Sequence, residues 1–94
     1  MNIEILQSGA GTRWVVFDGR GAKVRASRNA SLTASARQLG DWWANNCPTE
    51  LLPSAVQSGF DLPVNEGDEM VFLATVQAQV DLRQVQSVVE VALQ

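Results

Sequence analysis

The sequence predicts an α+β fold, with residues 1–94 forming a single α+β domain. Three observations carry this prediction: β-forming residues cluster near the N-terminus, apolar residues then recur at helical spacing, and a later stretch alternates apolar and polar residues. Ninety-four residues are enough for one modest hydrophobic core. We expect an antiparallel β-meander, one main helix packed on the sheet, a long later strand, and a C-terminal helix or strand.

The meander is predicted from three short runs of β-forming residues separated by glycine-containing turns. Residues 2–7 and 12–17 are rich in Ile, Val, Trp and Phe, and residues 22–27 alternate apolar with basic or polar side chains. Residues 8–11 and 18–21 each contain two glycines, which readily adopt the positive φ angles of tight loops. Short loops between consecutive strands favour antiparallel pairing of neighbours.

The main helix is predicted to be entered through the small polar segment of residues 29–31 and to end at about Asn45, before Pro48. Apolar residues recur at positions i, i+4, i+7 and i+11, which places them on one helix face: Leu32, Ala36, Leu39 and Trp43. Three residues are candidates for the N-cap: Asn29, Ser31 and Thr33. Gly40 lies inside this helix, where it either permits a close approach to the sheet or loosens the last turn.

The long later strand is predicted from residues 69–80. Every even position from Met70 to Val80 is apolar, and the odd positions become polar toward the end. A period of two is typical of a half-buried strand, because successive side chains point to opposite faces. We therefore expect this strand to carry the core, with residues 65–68 forming a turn before it and residues 49–65 forming an irregular segment that packs down.

The C-terminal stretch, residues 81–94, is compatible with two structures. Asp81 and Gln84 match a capping box, and the apolar residues that follow suit one helix face. The run VVEVAL at residues 88–93 is also rich in β-branched residues, which favour strands. We predict a helix, with a strand as the alternative.

The inventory of side chains argues against an enzyme. The chain has no histidine, the commonest general base and metal ligand, and no tyrosine. Cys47 is the single cysteine, so neither an internal disulfide nor a structural zinc site is expected. No apolar run approaches the roughly 20 residues of a membrane helix. We expect a cytoplasmic protein that has no cofactor or metal, does not associate with membranes and catalyses no reaction.

The charges divide unequally along the chain. Residues 1–37 carry six basic side chains against two carboxylates, whereas residues 38–94 carry one against eight. Such a division suggests a charged partner surface, or self-association with opposite ends meeting. The alternative is that the two halves interleave in the fold and their charges mix.

Basic side chains follow the predicted hairpin of residues 13–28 and form the first candidate partner-binding set: Arg13, Arg20, Lys23, Arg25 and Arg28. Strand periodicity predicts that Lys23 and Arg25 share a face. Such a ribbon can bind the phosphates of a nucleic acid or an acidic protein surface. The alternative is an ordinary solvated sheet face.

Trp42 is the second candidate contact. Its neighbour Trp43 lies on the apolar stripe of the helix, and consecutive helical residues point about 100° apart, so Trp42 points toward a polar side. Exposed tryptophan is enriched at the centres of interfaces. The alternative is that residues 49–65 fold over it.

Two resemblances of pattern bear on function. Residues 12–43, with RWVVFDGRGAKVRAS followed by SLTASARQLGDWW, resemble the arm-binding domain of phage-type integrases, which implies a basic sheet that enters a DNA groove. In size, acidity and missing catalytic groups, the chain resembles small phage-encoded inhibitors, including anti-CRISPR proteins. We expect a protein–protein interaction protein that masks a surface of a host defence complex. The alternative is a small nucleic-acid-binding module, and homo-oligomers are compatible with either function.

Overall fold

The computed structural model describes residues 1–47 and 65–93, with side chains of the second range described for Asn65 and residues 67–85. Three strands precede two helices: β1 (Asn2–Ser8), β2 (Gly11–Phe17), β3 (Lys23–Ala26), α1 (Leu32–Asn46) and α2 (Glu66–Leu93). The predicted α+β class, meander and main helix are confirmed. The irregular segment predicted at residues 49–65 lies, except for Asn65, outside the described residues.

The sheet is antiparallel with the strand order β1-β2-β3. Ile3 lies opposite Val16 and Ile5 lies opposite Trp14, and all four side chains are buried. Directly opposed residues share a face, so these four form the inner face of the sheet. Arg13, between two inward-facing residues of β2, is exposed on the outer face.

Helix α1 begins after Ser31, one of the three predicted N-cap candidates; its Oγ accepts a hydrogen bond from the backbone N–H of Ala34 at 3.2 Å. Its predicted apolar stripe faces the core, with Ala36, Leu39 and Trp43 buried. The indole N–H of Trp14 donates to the carbonyl oxygen of Ser35 at 3.0 Å, which joins β2 to α1.

The hydroxyl of Ser35 is fully buried and has no hydrogen-bond partner in the part of the chain that the structure describes. A buried hydroxyl without a partner lowers stability, so Ser35→Ala should raise the free energy of unfolding by about 1 kcal/mol. Ser27→Ala is the matched control, because the Oγ of Ser27 accepts from the backbone N–H of Trp14 at 2.9 Å. Its loss should lower stability by about 1 kcal/mol. Urea denaturation measures the free energy of unfolding of both variants, which should rise for Ser35→Ala and fall for Ser27→Ala. A decrease for Ser35→Ala would contradict the conclusion that its hydroxyl is unpaired.

The prediction of a strand at residues 69–80 is wrong, because residues 66–93 form one helix of 28 residues. Phe72, Val76 and Val80 are buried, whereas Met70 is 69% exposed. Phe72, Val76 and Val80 are every second member of the even-numbered apolar series, so they are four residues apart. Residues four apart lie on the same face of a helix, so the alternating pattern also contains one apolar helix face. The same stretch is rich in Ala, Leu, Met, Gln and Glu, which are strong helix formers.

The segment predicted as a turn at residues 65–68 is instead the start of α2. The Oδ1 of Asn65 accepts from the backbone N–H of Gly67 at 2.9 Å, and its carbonyl oxygen accepts from Glu69 at 2.8 Å. Asn65 is therefore the N-cap, and the acidic residues that follow are favourable near the positive end of the helix dipole. The helix predicted at the C-terminus is confirmed, although it continues through Asp81 without a cap there.

The two helices pack together at Gly40. A Cβ atom at this position would lie 2.6 Å from the Cβ of Gln79 and 3.0 Å from the carbonyl oxygen of Val76. Gly40 thus permits a close approach of α1 to α2, and not to the sheet as the sequence suggested. The start of α2 also contacts the sheet directly, because the Nε2 of Gln7 in β1 donates a hydrogen bond to the Oδ2 of Asp68 at 3.1 Å.

Candidate binding cleft

An open cleft of about 560 Å³ lies between the β3 edge of the sheet and α1. Its sheet side is formed by Trp14 and residues 25–28, and its helix side by Gln38, Asp41, Trp42, Asn45 and Asn46. Three of the six candidate partner-binding residues meet here: Arg25, Arg28 and Trp42.

The chain after β3 is held along β2, and this fixes the position of Arg28. The backbone N–H of Ser27 donates to the carbonyl oxygen of Trp14 at 2.9 Å. Thr12 and Ala30 exchange two backbone hydrogen bonds of 2.8 and 2.9 Å. Arg28 lies between these two anchored points, so its backbone position is set by the sheet even though β3 ends at Ala26.

Arg25 reaches the cleft because the pairing of β3 is irregular. Arg25 lies opposite Val16, Lys23 lies opposite Phe17, and the register shifts between those two positions. Val16 and Phe17 are consecutive and point to opposite faces. Arg25 is therefore on the inner face with Val16, and Lys23 is on the outer face. The prediction that Lys23 and Arg25 share a face is wrong, because simple periodicity cannot anticipate a bulge.

The remaining basic candidates lie away from the cleft. Arg13 is exposed on the outer face of the sheet, and Arg20 is exposed in the loop between β2 and β3. The Oδ1 of Asp18 accepts from the backbone N–H groups of Arg20 at 2.8 Å and of Ala22 at 2.9 Å, which shapes this loop. The basic ribbon predicted from sequence is thus divided between two faces and a loop.

Trp42 combines a core contact with a cleft surface. Its side chain is half-buried and packs against the core. Its ring centroid lies 6.2 Å from that of Trp14 and 6.4 Å from that of Trp43. Trp42 also lines the cleft. The alternative prediction, that residues 49–65 cover Trp42, concerns residues almost all outside the described ranges.

The negative charge of Asp41 in the cleft is compensated from α2. Its Oδ1 accepts from the Nε of Arg83 at 2.6 Å and from the Nε2 of Gln79 at 2.7 Å. The hydrogen bond from Arg83 holds the pKa of Asp41 below its ordinary value; partial burial opposes this, and Gln79 assists it. Arg25 and Arg28 form no salt bridge with the described residues. Among the described residues, the two positive charges of the cleft are therefore uncompensated.

The amide side chains of the cleft were not among the predicted contacts. Gln38 and Asn46 lie four residues before and after Trp42, and Asn46 donates its Nδ2 hydrogen to the carbonyl oxygen of Trp42 at 2.8 Å. Helical spacing of four places these residues on one face with Trp42. That spacing is the signal from which they could have been found.

No family model, curated protein or solved structure matches this chain. Among the described side chains, those of residues 1–47, 65 and 67–85, no three metal-ligating groups lie closely enough together to hold an ion. Neither α1 nor the described part of α2 has the length and apolar content of a membrane-spanning helix.

Proposed function

We propose that this protein is a non-enzymatic binding protein whose cleft takes an acidic segment of a partner protein and so masks part of that partner's surface. One observation carries the proposal: Arg25 and Arg28, without ionic partners among the described residues, flank the half-buried Trp42 in an open concavity.

The chemistry of these groups favours a carboxylate next to an apolar side chain. Arginine binds carboxylates through paired hydrogen bonds, and the geometry is specific because the guanidinium is planar. A tryptophan held on one side by the core offers a rigid apolar surface, and such residues dominate binding energy at interfaces. The amides of Gln38 and Asn45 add donors and acceptors at the rim. A short acidic segment with one large apolar residue can contact the arginines, the tryptophan and the amides at the same time.

Single-stranded nucleic acid is the second candidate ligand. Arginine and tryptophan side by side also suit a phosphate and a stacked base. Two features favour the protein ligand over it. Arg13, Arg20 and Lys23 do not line the cleft, so no extended basic track continues from it. The chain carries a net charge of −3, and nucleic-acid-binding domains are usually basic.

The host-defence partner implied by the resemblance to phage-encoded inhibitors stays a prediction. The genes next to the one that encodes this protein test it, because such inhibitors are expected beside genes of mobile elements.

Selection of short random peptides on the immobilised protein tests the proposal. We expect enrichment of sequences in which Asp or Glu flank an apolar residue. The double variant Arg25→Glu/Arg28→Glu should bind the selected peptide at least about tenfold more weakly, because charge-assisted hydrogen bonds are replaced by repulsion.

Arg13→Glu/Arg20→Glu is the matched control, since it changes the net charge equally at exposed sites outside the cleft. Its affinity should change by about twofold or less. The proposal would be contradicted if both double variants lost peptide affinity equally, or if the selected peptides shared no acidic residues. Oligothymidine provides the second arm: tighter binding of it than of any selected peptide, lost in the cleft variant alone, would favour nucleic acid instead.

A further inference from the structure

Strand β3 is an edge of the sheet, and its outward side has no partner strand in the part of the chain that the structure describes. All four of its residues, Lys23–Ala26, are exposed. The same edge borders the cleft, which residues 25–28 line. An edge strand presents backbone N–H and C=O groups with which another extended segment can pair. A ligand in the cleft can therefore bind this backbone as well as the side chains of Arg25 and Arg28.

The hydrogen bonds of β2 show which backbone groups of β3 point to the free edge. The carbonyl oxygen of Trp14 accepts from the backbone N–H of Ser27, so the backbone groups of Trp14 face the β3 side. Backbone groups alternate in direction along a strand, so those of Val15 face β1. Ala26 lies opposite Val15, and its N–H and C=O therefore point to the free edge. The backbone groups of Arg28 form no hydrogen bond with the described residues, so this edge extends past β3.

We propose that the acidic segment of the partner protein binds in an extended conformation and adds to the sheet as a further strand along β3. The inference rests on the proposed function, because it assigns the conformation and the backbone contacts of the same ligand. Ala26 donates its N–H to the backbone of the added strand and accepts a hydrogen bond at its C=O. In strand addition of this kind, main-chain hydrogen bonds supply affinity and alternate side chains supply specificity.

Charge complementarity favours β3 over the other edge of the sheet. Lys23 and Arg25 lie in β3, and Arg28 follows it. The opposite edge is β1, whose single charged residue is Glu4, and this carboxylate repels an acidic strand. The basic side chains also oppose the pairing of two copies along β3, because like charges on neighbouring strands are destabilising. A strand that carries carboxylates is therefore the occupant that this edge favours.

The two faces of the sheet offer different contacts to an added strand. Every second side chain of such a strand points to the inner face, where Arg25 and Trp42 line the cleft. The side chains between them point to the outer face, on the side of Lys23. An apolar residue directed at Trp42 and acidic residues next to it would therefore meet an aromatic ring on one face and positive charge on both. This is the composition that the proposed ligand has.

Backbone methylation of the ligand tests strand addition. The probe is the selected acidic peptide, remade with one N-methyl group at each successive residue. Methylation removes a single backbone donor, and only every second N–H of an added strand points toward β3. We expect binding to weaken at least about fivefold at alternate positions and to change about twofold or less at the positions between them. Losses without this alternation would overturn the inference.

A proline at position 26 tests the same contact from the side of the protein. Ala26→Pro removes the N–H that points to the free edge, and edge strands tolerate proline where this N–H faces solvent. It should weaken peptide binding at least about fivefold with an unchanged circular dichroism spectrum. Ala26→Val is the matched control, because it keeps the donor and enlarges an exposed side chain of the outer face. Equal peptide affinity of the two folded variants would contradict the inference; should Ala26→Pro not fold, the methylated peptides decide.

The inference and the proposed function fail in different experiments. Loss of peptide affinity in Arg25→Glu/Arg28→Glu reports whether the ligand occupies the cleft, whereas the alternation among methylated peptides reports its conformation there. If the cleft variant loses affinity and methylation shows no alternation, the proposed function stands and strand addition is wrong. If both experiments give the expected results, the acidic segment binds in the cleft as a strand.

Discussion

Phe72→Ala is expected to lower the free energy of unfolding by about 3–5 kcal/mol. Phe72 is completely buried in the cluster that joins the sheet to both helices, and truncation removes its contacts and leaves a cavity. Denaturant unfolding followed by circular dichroism measures the change. Should the variant fail to fold, Val76→Ala gives a smaller loss at the next position of the same buried stripe.

Met70→Ala is the matched control for Phe72→Ala. Both residues occupy even positions of the alternating stretch, so a strand would place both in the core. In the helix Met70 is 69% exposed, and its truncation should change stability by about 0.5 kcal/mol or less. A loss for Met70→Ala as large as that for Phe72→Ala would contradict the helix.

Gly40→Ala is expected to destabilise the protein by about 2 kcal/mol, because overpacking at the contact between the helices outweighs the gain in helix propensity. The added Cβ would lie 2.6 Å from the Cβ of Gln79, which is closer than such atoms approach, so the helices must move apart. Thermal unfolding and denaturant titration both measure this loss.

Gly67→Ala is the matched helical control for Gly40→Ala. Its added Cβ would meet only the side-chain oxygen of Asn65, at 3.3 Å. With no neighbouring helix in the way, the variant should be neutral or gain up to about 1 kcal/mol. If Gly40→Ala proved as stable as Gly67→Ala, the close packing of α1 on α2 would be wrong.

The sheet and α1 were predictable because their signals are local. The glycine loops, the β-forming runs and the Ser31 cap each depend on a few neighbouring residues, and the structure retains them. The strand predicted at residues 69–80 was wrong because the apolar residues of two different helix faces alternate along this stretch. Phe72 and Val76 face the core while Met70, Ala74 and Ala78 face outward, so a helix with two apolar faces imitates the period of a strand.

Three residues that line the cleft were named from the sequence, but their grouping in one place was not predictable. The sequence predicted Arg25, Arg28 and Trp42 as contacts together with three other basic residues, Arg13, Arg20 and Lys23. Their spacing along the chain does not show which of them line the cleft. That depends on the bulge in β3 and on how α1 packs against β2. Both are tertiary features, so the cleft emerges only from the folded chain.

We propose that the Arg25–Arg28–Trp42 cleft receives an acidic segment of a partner protein. Nuclear magnetic resonance can locate the bound peptide, because the three tryptophans give three indole N–H signals. On titration with the selected acidic peptide, the Trp42 indole and the Arg28 backbone amide should shift most, and the amides of Arg13 and Arg20 should stay in place. Shifts confined to the outer face of the sheet, with an unmoved Trp42 signal, would contradict the claim.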